Sequence, residues 1–228
     1  MKLTLKKEDL FRPFMIVILA ALLVQFAGRY FAARYLIIGD HFYSLWLILR
    51  IGVPVAVIFI LKIPFNEIGL GRPHIDHGFG RALLVMAALL AAAFAGIYFY
   101  QGYFASYGGS FSSGGQGAWG RFANFMVFTL STLTGWEFLH RGFLLMGLFF
   151  ALSKWEKADP ATAALVSVAV VWVFEVVFHF TKPMLEPAGL LIGSPILSYI
   201  ALRTGSIWIP FFAHLSVEIL FIASLIFR

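Results

Sequence analysis

Apolar residues run along this chain in long blocks, separated by short clusters of charge, glycine and proline. A helix needs roughly 20 mostly apolar residues to cross a hydrocarbon core of about 30 Å. Stretches of that kind lie near 13–33, 42–61, 82–104, 121–150, 162–180, 188–203 and 206–227. The pattern predicts an all-α protein, a polytopic transmembrane helical bundle of about seven spans. Ala82 to Tyr100 is the most uniform block. The first block follows Lys2, Lys6, Lys7 and Arg12 and exceeds the apolar length of a signal peptide, so it reads as an uncleaved first helix. Asp159-Pro160 predicts a helix start, an N-cap acceptor followed by proline at the first helical position.

Composition agrees with the pattern. Of 228 residues, 61% are hydrophobic and 12% charged, with mean hydropathy +0.90. Soluble domains carry about 25% charged residues, so an ordinary soluble enzyme is excluded and no separate soluble domain fits beside the spans. The 17 Lys and Arg exceed the 11 Asp and Glu. Because they mostly flank apolar blocks, they orient the chain in a bilayer and do not call for nucleic acid. A cytoplasmic N-terminus puts Lys62, Arg72, Arg81, Lys154, Lys157 and Arg203 on the N-terminal side, leaving Arg29, Arg34, Arg121, Lys182 and Arg228 opposite, as the positive-inside bias requires. Without cysteine there is no disulfide, thiolate nucleophile or Cys-based metal site. Residues 105–120 have the Gly/Ser composition of a mobile connector. His74 and His77, in the polar connector 63–80, are expected to be solvated rather than to ligate metal.

Several ionisable residues lie inside apolar blocks, where each costs roughly 2.5–3.5 kcal/mol on insertion scales. Glu137, His140 and Arg141 occupy the fourth block, Glu175 and His179 the fifth, and His214 and Glu218 the seventh. Glu137 and Arg141, Glu175 and His179, and His214 and Glu218 are each spaced i,i+4, so each pair shares one helix face. The bundle must turn those faces toward one another, which implies a shared polar cavity. A carboxylate beside an imidazole can activate water, and a second imidazole can hold an oxyanion, a set suited to peptide hydrolysis. Glu137, Glu175, His179, His214 and Glu218 are also residue types that ligate a divalent metal between facing helices, although no HExxH is present and the sequence requires no cofactor. Structural ion pairing is the bland alternative for Glu137 and Arg141, hydrogen bonding for His140, and snorkelling or pairing for Arg50.

These windows resemble the CaaX-protease and bacteriocin-processing (CPBP) family of intramembrane proteases. The family pattern is EExxxR, then FxxxH, then HxxxN or HxxxD. The matching windows are Trp136 to Arg141, Glu175 to His179 and His214 to Glu218, in the same order and spacing. The resemblance covers roughly 120–225 and divides the chain into an N-terminal three-span region with its Gly/Ser-rich loop, 1–120, and a CPBP-like core, 121–228. It implies catalytic roles for Glu137, Arg141, Glu175, His179, His214 and Glu218, a membrane-associated or lipid-linked peptide or protein as substrate, and residence in a bacterial inner membrane. It departs from the family at three places. Trp136 stands where the family has its water-activating Glu. Glu175 stands at the Phe position, and Glu218 at the Asn or Asp position. The resemblance then implies an endopeptidase whose base is Glu137 or Glu175. Trp136 also admits a non-catalytic scaffold that binds a peptide or lipid tail in the same cavity. A proton-coupled transporter is the third reading, and no inverted repeat accompanies it.

Overall fold

The computed structural model describes residues 12–31, 35–38, 41–75, 117–180, 182 and 185–227, together with scattered positions from 80 to 96. The predicted third span at 82–104, the Gly/Ser-rich connector before residue 117, and His77 lie wholly or mostly outside the described residues.

Helix α1 spans Pro13–Phe31 and α2 spans Leu45–Leu61. Between them, strand β1 (Tyr35–Ile38) pairs antiparallel with β2 (His41–Ser44), Ile38 opposite His41. Aromatic and β-branched residues favour this short pairing, and the other described elements are helical, as the all-α expectation had it. A 3-10 turn (Phe65–Ile68) follows α2 and ends at Gly69 with φ 78°, where a side chain would collide with Met146.

Helix α3 (Ala118–Glu137) continues without a break into a π-helical segment (Phe138–Gly147), a short α-helical turn (Leu148–Phe150) and a second π-helical piece (Ala151–Trp155). Every residue of Phe138–Gly147 is buried. π-helical turns are rare and concentrate at functional sites, and this one carries His140 and Arg141. Helix α4 (Pro160–His179) opens as predicted. The Asp159 carboxylate accepts from the Thr162 backbone N–H at 3.0 Å, and that hydrogen bond holds its pKa below the usual carboxylate value. Helices α5 (Leu185–Thr204) and α6 (Trp208–Ile226) complete the bundle.

The core is built around the π-helical segment. Val17, Ala21 and Val24 of α1, Ile58 of α2, Ile68 and Val171 of α4 pack against Leu139, Phe143 and Leu144. The N-terminal helices and the 118–227 region therefore share one apolar core. Outside it the usual order of a soluble protein is reversed. On α4, Ser167 and Glu175 are buried while Leu165, Val173 and Phe180 are exposed. On α5, Ser194 and Ser198 are buried while Leu191, Ile192 and Tyr199 face outward. An apolar exterior around a polar interior is what a hydrocarbon solvent selects. By length and composition, Pro160–His179 is a helix able to cross a membrane; Pro13–Ala27, Leu47–Leu61 and Trp208–Ala223 are shorter apolar stretches.

Two close approaches position the site. The connector after the 3-10 turn is tied to the α5–α6 turn: Ile207 N–H donates to Gly69 O at 2.9 Å, Ser206 Oγ to Gly71 O at 2.9 Å, and His74 N–H to Thr204 O at 2.7 Å. This holds the start of α6 against the π-helical segment. At Gly135, a Cβ would lie 3.1 Å from Arg50 Cβ and 3.3 Å from the Leu47 backbone, so glycine lets α2 reach α3 and sets Arg50 beside Trp136.

Gly135→Val is therefore expected to lower the melting temperature of the detergent-solubilised protein by the equivalent of about 1–3 kcal/mol of overpacking. Gly189→Ala, on α5 with open space around its Cα, serves as the control and should leave the melt unchanged.

Candidate active site

The buried centre is an arginine between two carboxylates. Arg141 donates from Nη1 to Glu175 Oε1 at 2.7 Å and from Nη2 to Glu175 Oε2 at 3.0 Å, a two-pronged pair across α4. The same Nη1 donates to Glu137 Oε1 at 3.1 Å, one turn back. Arg141, Glu137 and Glu175 are each 1% exposed or less. Bidentate geometry fits the planar guanidinium and makes the arrangement rigid.

From α6, His214 Nδ1 donates to Glu137 Oε1 at 2.7 Å. With His214 as imidazolium, two cations and two carboxylates sum to zero in the buried layer, which an apolar interior requires. Glu137 Oε2 is buried and meets no donor among the described residues. His214 Nε2 faces Glu218 Oε1 at 3.8 Å, beyond a direct hydrogen bond.

On α4, His179 Nδ1 donates to the Glu175 carbonyl at 2.8 Å, so in the neutral ring Nε2 is the acceptor. That nitrogen faces Glu186 Oε2 of α5 at 3.9 Å, and Lys182 Nζ donates to the same oxygen at 2.7 Å. Glu186 and Lys182 also lie within electrostatic reach of Glu218. His179, Glu186, His214, Glu218 and Lys182 are all partly exposed, whereas the arginine layer beneath them is closed. Two tiers result: a sealed ion-paired floor and an open imidazole–carboxylate rim.

Trp136 links the tiers. Its Nε1–H donates to Glu175 Oε1 at 3.0 Å, its ring lies 3.9 Å from the His140 ring, and it meets His179 edge-on at 4.9 Å. Arg50 lies over the indole at 4.9 Å. Besides this cation–π contact, Arg50 Nη1 donates to Thr132 O at 3.4 Å. His140 is fully buried, Nδ1 donating to Trp136 O at 2.9 Å and Nε2 accepting from the Gln25 amide of α1 at 2.6 Å. It is a hydrogen-bonded core histidine.

The structure thus brings Glu137, Arg141, Glu175, His179, His214 and Glu218 into one region, as the spacing implied. Of the two candidate bases, Glu175 accepts from Arg141 through both oxygens and from Trp136 through one, whereas Glu137 accepts from Arg141 and His214 through Oε1 alone. As for metal, no three His, Asp or Glu side chains are arranged as ligands among the described residues. Glu186 and Gln25 escaped the sequence reading, and Lys182 was read there only as a flanking basic residue. A lone glutamine in an apolar helix and a glutamate near a loop carry no periodic signal, although the Lys182–Glu186 i,i+4 spacing was there to be read.

Residues 118–220, which span this whole constellation except Gln25 and Arg50, match the family model of the type II CAAX prenyl endopeptidase Rce1-like proteins. Over that stretch, a little under half of the chain, the sequence is similar to the Rce1-like family. No curated protein and no solved structure matches it. The matched family is one of integral membrane proteases, described as type II CAAX prenyl endopeptidases.

Breaking the Rce1-like floor should be costly, since removing one member of a buried ion pair leaves an uncompensated charge worth about 3–5 kcal/mol. Arg141→Met is expected to lower the detergent melting temperature sharply. The double variant Arg141→Met, Glu175→Leu should recover much of that loss, read by the same thermal melt.

Proposed function

We propose that this chain is an active intramembrane endopeptidase that hydrolyses a peptide bond in a membrane-associated or lipid-linked peptide. The observation that carries this reading is the matched anchoring of His179 and His214. Each ring donates through Nδ1 to a fixed acceptor, the Glu175 carbonyl or Glu137 Oε1, and each presents Nε2 to the partly exposed rim. Two oriented imidazoles with free outer nitrogens are what water activation and oxyanion stabilisation need. In this reading His179 lies on the water side. His214, as imidazolium, donates from Nε2 to the oxyanion, with Glu218 beside it. Arg141 holds Glu137 and Glu175 in place, so that Glu137 orients His214 and Glu175 contributes rigidity rather than a proton.

The chain's topology and setting follow the same proposal: about seven spans, a cytoplasmic N-terminus and a bacterial inner membrane, with basic residues concentrated on the N-terminal side.

Trp136 favours a second reading. Its indole edge stands against His179 where the family pattern has a carboxylate, as it would in a scaffold that binds peptide or lipid without cutting. The two readings separate in a cleavage assay. In proteoliposomes with a fluorescence-quenched peptide ending in a farnesylated CaaX sequence, His179→Ala and His214→Ala should each lower the rate by about 100-fold or more; His179→Ala should melt like the wild type, and His214→Ala, which takes a partner from buried Glu137, should melt earlier. Equal, background-level signal from wild type and both variants, with peptide binding retained, would establish the scaffold instead.

A further inference from the structure

We infer that Glu186, on the first turn of α5, is the carboxylate that activates water together with His179, in place of the one that position 136 lacks. The inference rests on the endopeptidase reading and assigns its missing base.

The carboxylates singled out by the motifs are committed elsewhere. Glu175 gives both oxygens to Arg141. Glu137 is turned toward Arg141 and His214 and is sealed from the rim. Glu218 faces His214. At His179, the face that α3 presents is filled by the Trp136 indole. Glu186 approaches from α5 instead, its Oε2 3.9 Å from His179 Nε2. That gap is too long for a direct hydrogen bond, but a water about 2.8 Å from each atom fits beside it and can donate to both. Lys182 Nζ, 2.7 Å from the same carboxylate oxygen, fixes where that oxygen stands. On the His214 side of the rim, Glu218 stands 3.8 Å from His214 Nε2 and lies within electrostatic reach of Glu186 and Lys182.

The chemistry balances. The water oxygen bonds to the scissile carbonyl carbon as its O–H bond breaks and the proton passes to Glu186. The carbonyl π pair moves onto oxygen, which His214 Nε2–H receives. The C–N bond then breaks as the tetrahedral centre collapses, and the amine nitrogen takes the proton from Glu186. The products are a carboxylic acid and an amine, and Glu186 is again a carboxylate. Glu186 is 19% exposed, unlike the sealed Glu137 and Glu175.

The test uses the full-length protein in proteoliposomes with the quenched farnesylated CaaX peptide. Glu186→Gln is expected to lower kcat by about 100-fold or more with KM changed by less than about 3-fold, and Glu186→Asp to recover part of the loss. A rate for Glu186→Gln within about 3-fold of wild type, while His179→Ala is inactive, would overturn the assignment of Glu186 and leave the endopeptidase standing. Equal background rates for wild type, Glu186→Gln and His179→Ala would overturn both. A thermal melt of each variant separates loss of the base from loss of the fold; if Glu186→Gln melts early, Glu186→Asp and Lys182→Met decide, since both keep a carboxylate at the rim. Wild-type rates in both with a stable fold would count against the assignment of a positioned, lysine-paired base.

Discussion

The Arg141 guanidinium is the interaction on which the rest depends. Two carboxylates from different helices are buried in an otherwise apolar bundle, and either alone would be prohibitively desolvated. One planar cation with two forks binds both, and in doing so it fixes α4 against the π-helical segment that follows α3. Everything functional is registered from there. Glu137, once held, orients His214 on α6; Glu175, once held, places its own backbone carbonyl to orient His179 one turn later.

That layering also separates stability from chemistry. Buried groups held by charge-assisted hydrogen bonds, as in the Arg141–Glu175 fork, make a rigid floor. Groups with an outer nitrogen or oxygen left over stand at the rim, where they are partly exposed. Trp136 belongs to both. Its N–H completes the shell of Glu175, and its ring packs His140 and abuts His179. A glutamate at 136 would have brought a further negative charge next to Glu175, whose charge Arg141 already shares with Glu137. The indole avoids that repulsion and supplies a donor. Its bulk closes the α3 side of His179, so any carboxylate partner must approach from α5, and Glu186 does.

The membrane environment explains why polar residues this sparse can organise a bundle. With lipid outside, packing apolar side chains against one another yields little net gain over packing them against hydrocarbon, so buried serines, ion pairs and close glycine contacts carry specificity. Gly135 against Arg50 and Leu47, and the ties between the 69–74 connector and the α5–α6 turn, are of that kind.

Much was legible in the residues themselves. Apolar block length marked the helices, because the thickness of a bilayer sets a minimum run. Asp159-Pro160 marked a helix start, because capping is a contact between near neighbours. The Glu137–Arg141 pair could be read from its i,i+4 spacing for the same reason. Tertiary structure decided which partner won when several were in reach. Glu175 and His179 share a face, yet the carboxylate turns to Arg141 and only its carbonyl serves the imidazole, because a buried guanidinium outbids a neutral ring for a charge. Gln25 and Glu186 join His140 and His179 from other helices. No local pattern encodes those meetings, since they depend on how helices remote in sequence cross. The sequence by itself determined the helices and the set of chemical groups; the crossing of those helices decided which groups are locked and which remain available to react.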